Sequence, residues 1–268
     1  MPTLHLHGQE WHYQREGVGE PVLLLPGAGE AGYVWQLHQV PALVAAGYEA
    51  VTLDLPAPQG VREEDSFTAL ADATAALTAA LGLAPCRLIG FSFGAQLAQE
   101  LLVRRPGTFS GAVLMATRGR PDPAGEALLA AERACHAEGV RLPPPYAAFV
   151  QAALQLSPAT WHDEHALRDW LDVFEFAASS GAAGQQLPPA AVSVDQLDAL
   201  GSVSVPVLVL GFAHDLIARP ALGREVAAAC PYGRYEELAD CGHHGHLERP
   251  DAVNEVLVRF LGSLRAPR

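Results

Sequence analysis

Four short apolar runs recur along the first half of this chain: Pro21-Val-Leu-Leu-Leu25, Glu49-Ala-Val-Thr-Leu53, Cys86-Arg-Leu-Ile89 and Gly111-Ala-Val-Leu-Met115. Between them lie stretches with helical spacing, at 33–46, 66–81 and 93–105. Runs this short, bounded by turn residues, suit strands buried on both faces. Parallel strands need long crossovers, and a helix in each gap supplies them. The pattern predicts an α/β fold: a mostly parallel central sheet with helices on both faces. Leu4–His7 and Glu10–Arg15 add an expected opening hairpin around Gly8-Gln9. Ser66 is the expected cap of the second helix.

The rhythm stops near Arg120. From there to Leu200 the chain is rich in Ala and punctuated by Pro, and no strand is evident. Helices are expected near 125–137, 146–156 and 165–178. The rhythm resumes with Val205-Pro-Val-Leu-Val-Leu210, a helix over 221–229, a strand over 234–238 and a last helix over 251–264. The expected organisation is a core of residues 1–119 and 201–268, interrupted by a helical lid, or cap, at 120–200.

Composition narrows the function. The chain of 268 residues is 50% apolar and carries a formal net charge of -13. An acidic surface without a basic stripe argues against nucleic acid or an anionic membrane as a partner. No apolar stretch is long enough to span a bilayer, and no signal peptide is visible at the N-terminus. Cys86, Cys135, Cys230 and Cys241 have no paired spacing and read as reduced thiols in a cytoplasmic protein. Nothing in the sequence sets the oligomeric state.

One turn carries chemistry. Gly90-Phe-Ser-Phe-Gly94 lies directly between an expected strand and an expected helix. A serine in Gly-x-Ser-x-Gly there sits on a tight strand-to-helix turn with its hydroxyl above the sheet, so Ser92 is a candidate nucleophile. A hydroxyl needs a base to act at neutral pH. Cys241-Gly-His-His-Gly-His246 follows the last expected strand and opens on the same sheet edge, offering His243, His244 and His246. Asp215, after the strand ending at Leu210, can orient an imidazole, and Asp54 at the end of an earlier strand is its rival. His243-x-x-His246, or His162 and His165 with Asp163 and Glu164, resemble half of a metal site, but a third placed ligand is missing, so no metal and no cofactor are expected.

Taken together, Leu24-Leu-Pro-Gly-Ala-Gly29, Gly90-Phe-Ser-Phe-Gly94, the strand leading to Asp215, and Gly242-His243 followed by Leu247-Glu-Arg-Pro250 resemble the α/β-hydrolase superfamily. The resemblance covers nearly the whole chain outside the expected lid. It implies the α/β-hydrolase fold, with Ser92 as nucleophile, Asp215 as acid and His243 as base, and oxyanion donors in the backbone N–H groups of Ala28 and Phe93. The family often has His-Gly where this chain has Pro26-Gly27, so the hydrogen bonds of that histidine are lost. His246 is read as close to the substrate or in the layer just behind it, His244 as a surface or packing residue. Trp35, Phe91 and the lid aromatics Trp161, Trp170 and Phe174 are read as pocket walls or core.

The implied activity is a serine esterase or thioesterase acting through an acyl-enzyme. Its expected partner is a small-molecule ester or thioester of a moderately apolar acyl group, free or carrier-bound. The same fold also serves carbon–carbon bond hydrolysis, cyclisation, acyl transfer and cofactor-free peroxidase chemistry, so the fold alone does not choose between them.

Overall fold

In a computed structural model, residues 2–6, 9–56, 65–180 and 195–264 are described. Their eight strands are β1 (Thr3–Leu6), β2 (Gln9–Glu16), β3 (Glu20–Leu25), β4 (Tyr48–Leu53), β5 (Cys86–Phe91), β6 (Phe109–Met115), β7 (Val207–Phe212) and β8 (Gly233–Leu238). They form one sheet in the order β1-β2-β4-β3-β5-β6-β7-β8. β1 and β2 are antiparallel to their neighbours; every pairing from β4 to β8 is parallel. Parallel pairing sends all six carboxyl ends to one edge, where the loops after β3, β5, β7 and β8 meet.

The helices are α1 (Gln39–Ala45), α2 (Ser66–Ala80), α3 (Phe93–Arg104), α4 (Pro123–Ala137), α5 (Pro144–Gln155), α6 (Pro158–His162), α7 (Glu164–Ser180), α8 (Leu197–Leu200), α9 (Pro220–Ala229), α10 (Gly245–Glu248) and α11 (Pro250–Ser263). Strand side chains alternate between two cores, as a period of two requires. Leu23, Leu25, Leu88 and Leu114 pack with Leu70 of α2, Leu97 of α3 and Val226 of α9. Val22, Leu24, Ile89 and Val113 pack with Leu43 of α1 and Val256 and Phe260 of α11 on the other face. Arg87 is the one charged side chain of β5, and it is buried. Its guanidinium donates to Leu261 O at 2.8 Å and to Glu20 at 2.7 Å, which satisfies the charge and ties α11 to the sheet.

Two local expectations change. The helix expected over 33–46 is a 3-10 turn (Gly32–Trp35) followed by α1. Gly32 is pressed against Leu53, where a Cβ would lie 2.9 Å from the backbone, and Pro41 fits only in the first turn of a helix, where its missing N–H has no acceptor to lose. Ser66 is the first residue inside α2, and Asp65 occupies the cap position without a side-chain cap bond.

Helices α4 to α7 lie between β6 and β7, and α5 packs on α7 around a small core of Ala148, Ala152, Leu156 and Phe174. Residues 181–194 of the expected lid, Gly8 of the expected hairpin turn and 57–64 lie outside the described residues.

Candidate active site

The backbone at Ser92 is in a conformation that L-residues rarely adopt, with φ 52° and ψ -113°. The two flanking glycines make this possible. A Cβ at Gly90 would lie 2.5 Å from Gly94 O, and a Cβ at Gly94 would collide with the carbonyls of Leu25 and Pro26. β5, α3 and the end of β3 therefore close on the serine, and its φ is strain held by that packing.

Three side chains expected to act together meet here. His243 Nε2 lies 2.9 Å from Ser92 Oγ, and His243 Nδ1 lies 2.8 Å from Asp215 Oδ2. Asp215 Oδ1 accepts the N–H groups of Ile217 and Ala218, each at 2.8 Å. Those two bonds fix the carboxyl plane, so only Oδ2 is left for the imidazole. Asp215 and His243 are buried, at 2% and 4% exposure, while Ser92 keeps some surface. Asp54, the rival acid, is bonded elsewhere: its Oδ1 accepts Gly32 N–H at 2.7 Å. The N–H groups of Ala28 and Phe93 serve no hydrogen bond among the described residues.

The remaining expected site residues separate into two groups. Trp35, Phe91 and His246 are no more than 1% exposed. Phe91 lies 5.1 Å from His243 and 4.1 Å from His246, and Trp35 lies 5.2 Å from His246. Enclosed on all sides, these rings back the histidine, and of the two readings, pocket wall or core, their burial favours core. Trp170 and Phe174 of α7 reach His244, with ring centroids 5.9 and 6.1 Å away. Trp161 instead packs edge-on to Phe149 at 5.8 Å and donates its Nε1–H to Ala152 O, within the helical segment. His244 is a packing residue: it touches Phe91, Trp170 and Phe174, and burial pushes its imidazole pKa down to about 3. His246 is shifted down by the same cause. Both rings are neutral at physiological pH.

Among the described residues, no group of three or more His, Cys, Asp or Glu side chains is arranged around a metal position. His162 bonds Pro158 O through Nδ1, and His165 pairs with Asp169. No helix among the described residues is long and apolar enough to cross a membrane.

Two carboxylates at the site escaped sequence reasoning. Glu248 is buried and joins the histidine loop to the helical segment. Its Oε1 accepts Ser157 N–H (2.8 Å), Ser157 Oγ–H (2.8 Å) and Thr160 Oγ1–H (2.5 Å), and its Oε2 accepts Gly242 N–H (2.6 Å). Glu30 folds back under the loop after β3, where Oε2 accepts Gly27 N–H at 2.8 Å. Burial pushes its carboxyl up to about 7, against the opposing pull of Gly27 N–H and His243. Only their places in the chain hinted at them: Glu248 lies within Leu247-Glu-Arg-Pro250, and Glu30 follows Gly-Ala-Gly.

Comparison with known proteins agrees with this architecture. Residues 22–256 match the family model described as "Alpha/beta hydrolase family". A Mycobacterium tuberculosis protein named "Putative non-heme bromoperoxidase BpoC" is 42% identical over 258 residues, covering 95% of this chain and 98% of that protein. Its crystal structure superposes with a TM-score of 0.86, over 96% of this chain and 97% of that one. A protein of Pantoea ananatis named "Putative carbamate hydrolase RutD" is 26% identical over 92% of this chain and 90% of its own length. A thermophilic esterase from Thermogutta terrifontis shares the fold, with a TM-score of 0.77 at 24% identity over 96% of this chain and 94% of that one. With a family match across most of its length and a relative this similar from end to end, the chain belongs to the alpha/beta hydrolase family.

Proposed function

We propose that this protein is a serine hydrolase that cleaves an ester or thioester of a moderately apolar small-molecule acyl group, free or carrier-bound. The observation that carries the reading is the continuous line Ser92 Oγ–His243 Nε2, His243 Nδ1–Asp215 Oδ2, at 2.9 and 2.8 Å. In this reading His243 Nε2 takes the Ser92 proton as Oγ attacks the acyl carbon. Asp215 accepts the Nδ1–H, which selects the tautomer and stabilises the imidazolium. Charge develops on the carbonyl oxygen, and the N–H groups of Ala28 and Phe93 receive it. The imidazolium then protonates the leaving oxygen or sulfur. Water, deprotonated by His243, releases the acid and restores Ser92.

The helical segment 120–200 acts as a lid in this reading, with Trp170 and Phe174 facing the substrate side of the histidine loop. The separate thiols fit a cytoplasmic protein. A fluorophosphonate probe should label Ser92, and a panel of esters and thioesters of varied acyl length should be hydrolysed by the wild type and not by Ser92→Ala. Absence of both labelling and turnover in a folded wild-type protein refutes the proposal.

The name of the Mycobacterium tuberculosis relative favours one second reading. An acyl-enzyme captured by hydrogen peroxide instead of water releases a peracid, and a peracid oxidises bromide without a metal. Bromination that needs peroxide and a carboxylic acid, and that is lost in Ser92→Ala, supports it.

A further inference from the structure

We propose that Glu30 is a positioning residue of the oxyanion site, standing in for the side chain that the Pro26-Gly27 sequence lacks. The inference rests on the hydrolase reading above. Glu30 grips residue 27 twice. Its side-chain Oε2 accepts Gly27 N–H at 2.8 Å, and its own backbone N–H donates to Gly27 O at 3.3 Å. The carbonyl of Gly27 and the N–H of Ala28 belong to the same planar trans peptide, so fixing the first fixes the direction of the second. The carboxylate holds the peptide before it, between Pro26 and Gly27. One residue thus sets two successive peptide planes, and Ala28 N–H cannot swing away without breaking a bond.

The packing around this grip leaves little play. A Cβ on Gly27 would lie 2.7 Å from Glu30 Oε2 and 2.9 Å from the Phe91 ring, so the loop is held between the carboxylate and the residue that precedes Ser92. Glu30 Oε1 lies 3.6 Å from His244 Nε2, and the Glu30 side chain is 17% exposed. The acceptor is therefore held through Oε2 by the loop after β3, while Oε1 faces the neutral His244 ring of the loop after β8 without a hydrogen bond to it. His243 and His244 are the titratable groups that face it.

The role depends on an acceptor at this reach, and three variants separate it from charge and from bulk. Glu30→Gln keeps an oxygen at the same reach without the charge. Glu30→Asp keeps the charge and withdraws the oxygen by one methylene. Glu30→Ala removes both. The readouts are kcat and KM for p-nitrophenyl acetate and the rate of fluorophosphonate labelling at Ser92, with melting temperature confirming the fold. We expect kcat and labelling to fall about 10-fold or more in Glu30→Ala and Glu30→Asp, with KM moving less than about threefold, since a misaimed oxyanion donor costs transition-state and not ground-state binding. Glu30→Gln should stay within about threefold of wild type. Should Glu30→Ala fail to fold, the Asp and Gln variants alone decide the matter. A folded Glu30→Asp with wild-type kcat overturns the proposal, as does a Glu30→Gln as impaired as Glu30→Asp, which would assign the effect to charge. A wild type that neither turns over nor labels fails the hydrolase reading itself.

Discussion

Replacing Glu248 is the sharpest test of how the site is held together. The carboxylate accepts four donors, three from residues 157 and 160 and one from Gly242, the residue before His243. Removing it in Glu248→Ala leaves four buried donors, but they are not equal. Ser157 Oγ and Thr160 Oγ1 are 3.3 Å apart, so one hydroxyl can rotate to the other. The N–H groups of Ser157 and Gly242 have no such choice. Each buried unsatisfied group costs about 1–3 kcal/mol, so the variant should lose about 2–6 kcal/mol. For a chain of this length that is a fall in melting temperature of roughly 5–15 °C. Glu248→Gln retains one oxygen and turns an NH2 toward the other set of donors, so about half the loss is expected. Because Gly242 N–H is among the freed groups, His243 should also lose its fixed position, and kcat should fall in both variants before any unfolding is detected. The assay is urea and thermal unfolding beside ester turnover at 25 °C. A Glu248→Ala variant within 1 kcal/mol of wild type, with unchanged kcat, would refute the argument that this carboxylate braces the histidine loop.

Ser92→Ala and His243→Ala should each fold normally and lose about 10³-fold or more in ester turnover, measured as kcat with intact-protein melting as control. Truncating Trp170 or Phe174 should raise KM for long acyl esters by more than for acetyl esters, by a contact energy of about 1–3 kcal/mol. Trp161→Ala, whose ring is turned into the helical segment, should instead lower stability with no dependence on acyl length. Stability should also carry the signature of Glu30. Its carboxyl pKa rises from the ordinary 4.5 to about 7 because burial disfavours the charge. The folded state then binds the proton more tightly than the unfolded chain. The contribution is present below about pH 4.5 and lost as pH rises through about 7, and amounts to roughly 3 kcal/mol at most. Glu30→Gln cannot titrate, so its stability relative to wild type should improve from pH 4.5 to 7 and then level off; a flat difference across that range would contradict the assignment.

Residues differ in how far their role is written locally. The sheet was legible because strand burial repeats in the sequence itself: Val22, Leu23, Leu24 and Leu25 are apolar in succession because both faces of β3 are covered. Ser92 was legible because its turn needs glycine at two fixed offsets, and no other residue type fits there. Asp215 and His243 were readable only through the order of elements along the chain, since 28 residues separate them and no local pattern joins them. The choice between pocket wall and core at Trp35, Phe91 and His246 was not legible for a related reason. Proximity in sequence to the nucleophile or the base says a ring is near the site, but whether it faces the ligand or the core depends on what covers its other side, and here Trp35 and Phe91 cover His246. Glu30 and Glu248 carried the least signal. A glutamate in a loop is read as solvated unless its partners are known, and those partners are backbone N–H groups, which have no letter in a sequence. Both carboxylates bond the residue that precedes a group of the proposed mechanism, Gly27 before Ala28 and Gly242 before His243. The proposed nucleophile, base and acid are thus encoded by residue type and order. The placement of the groups beside them is encoded by two acids whose meaning exists only once the chain has folded.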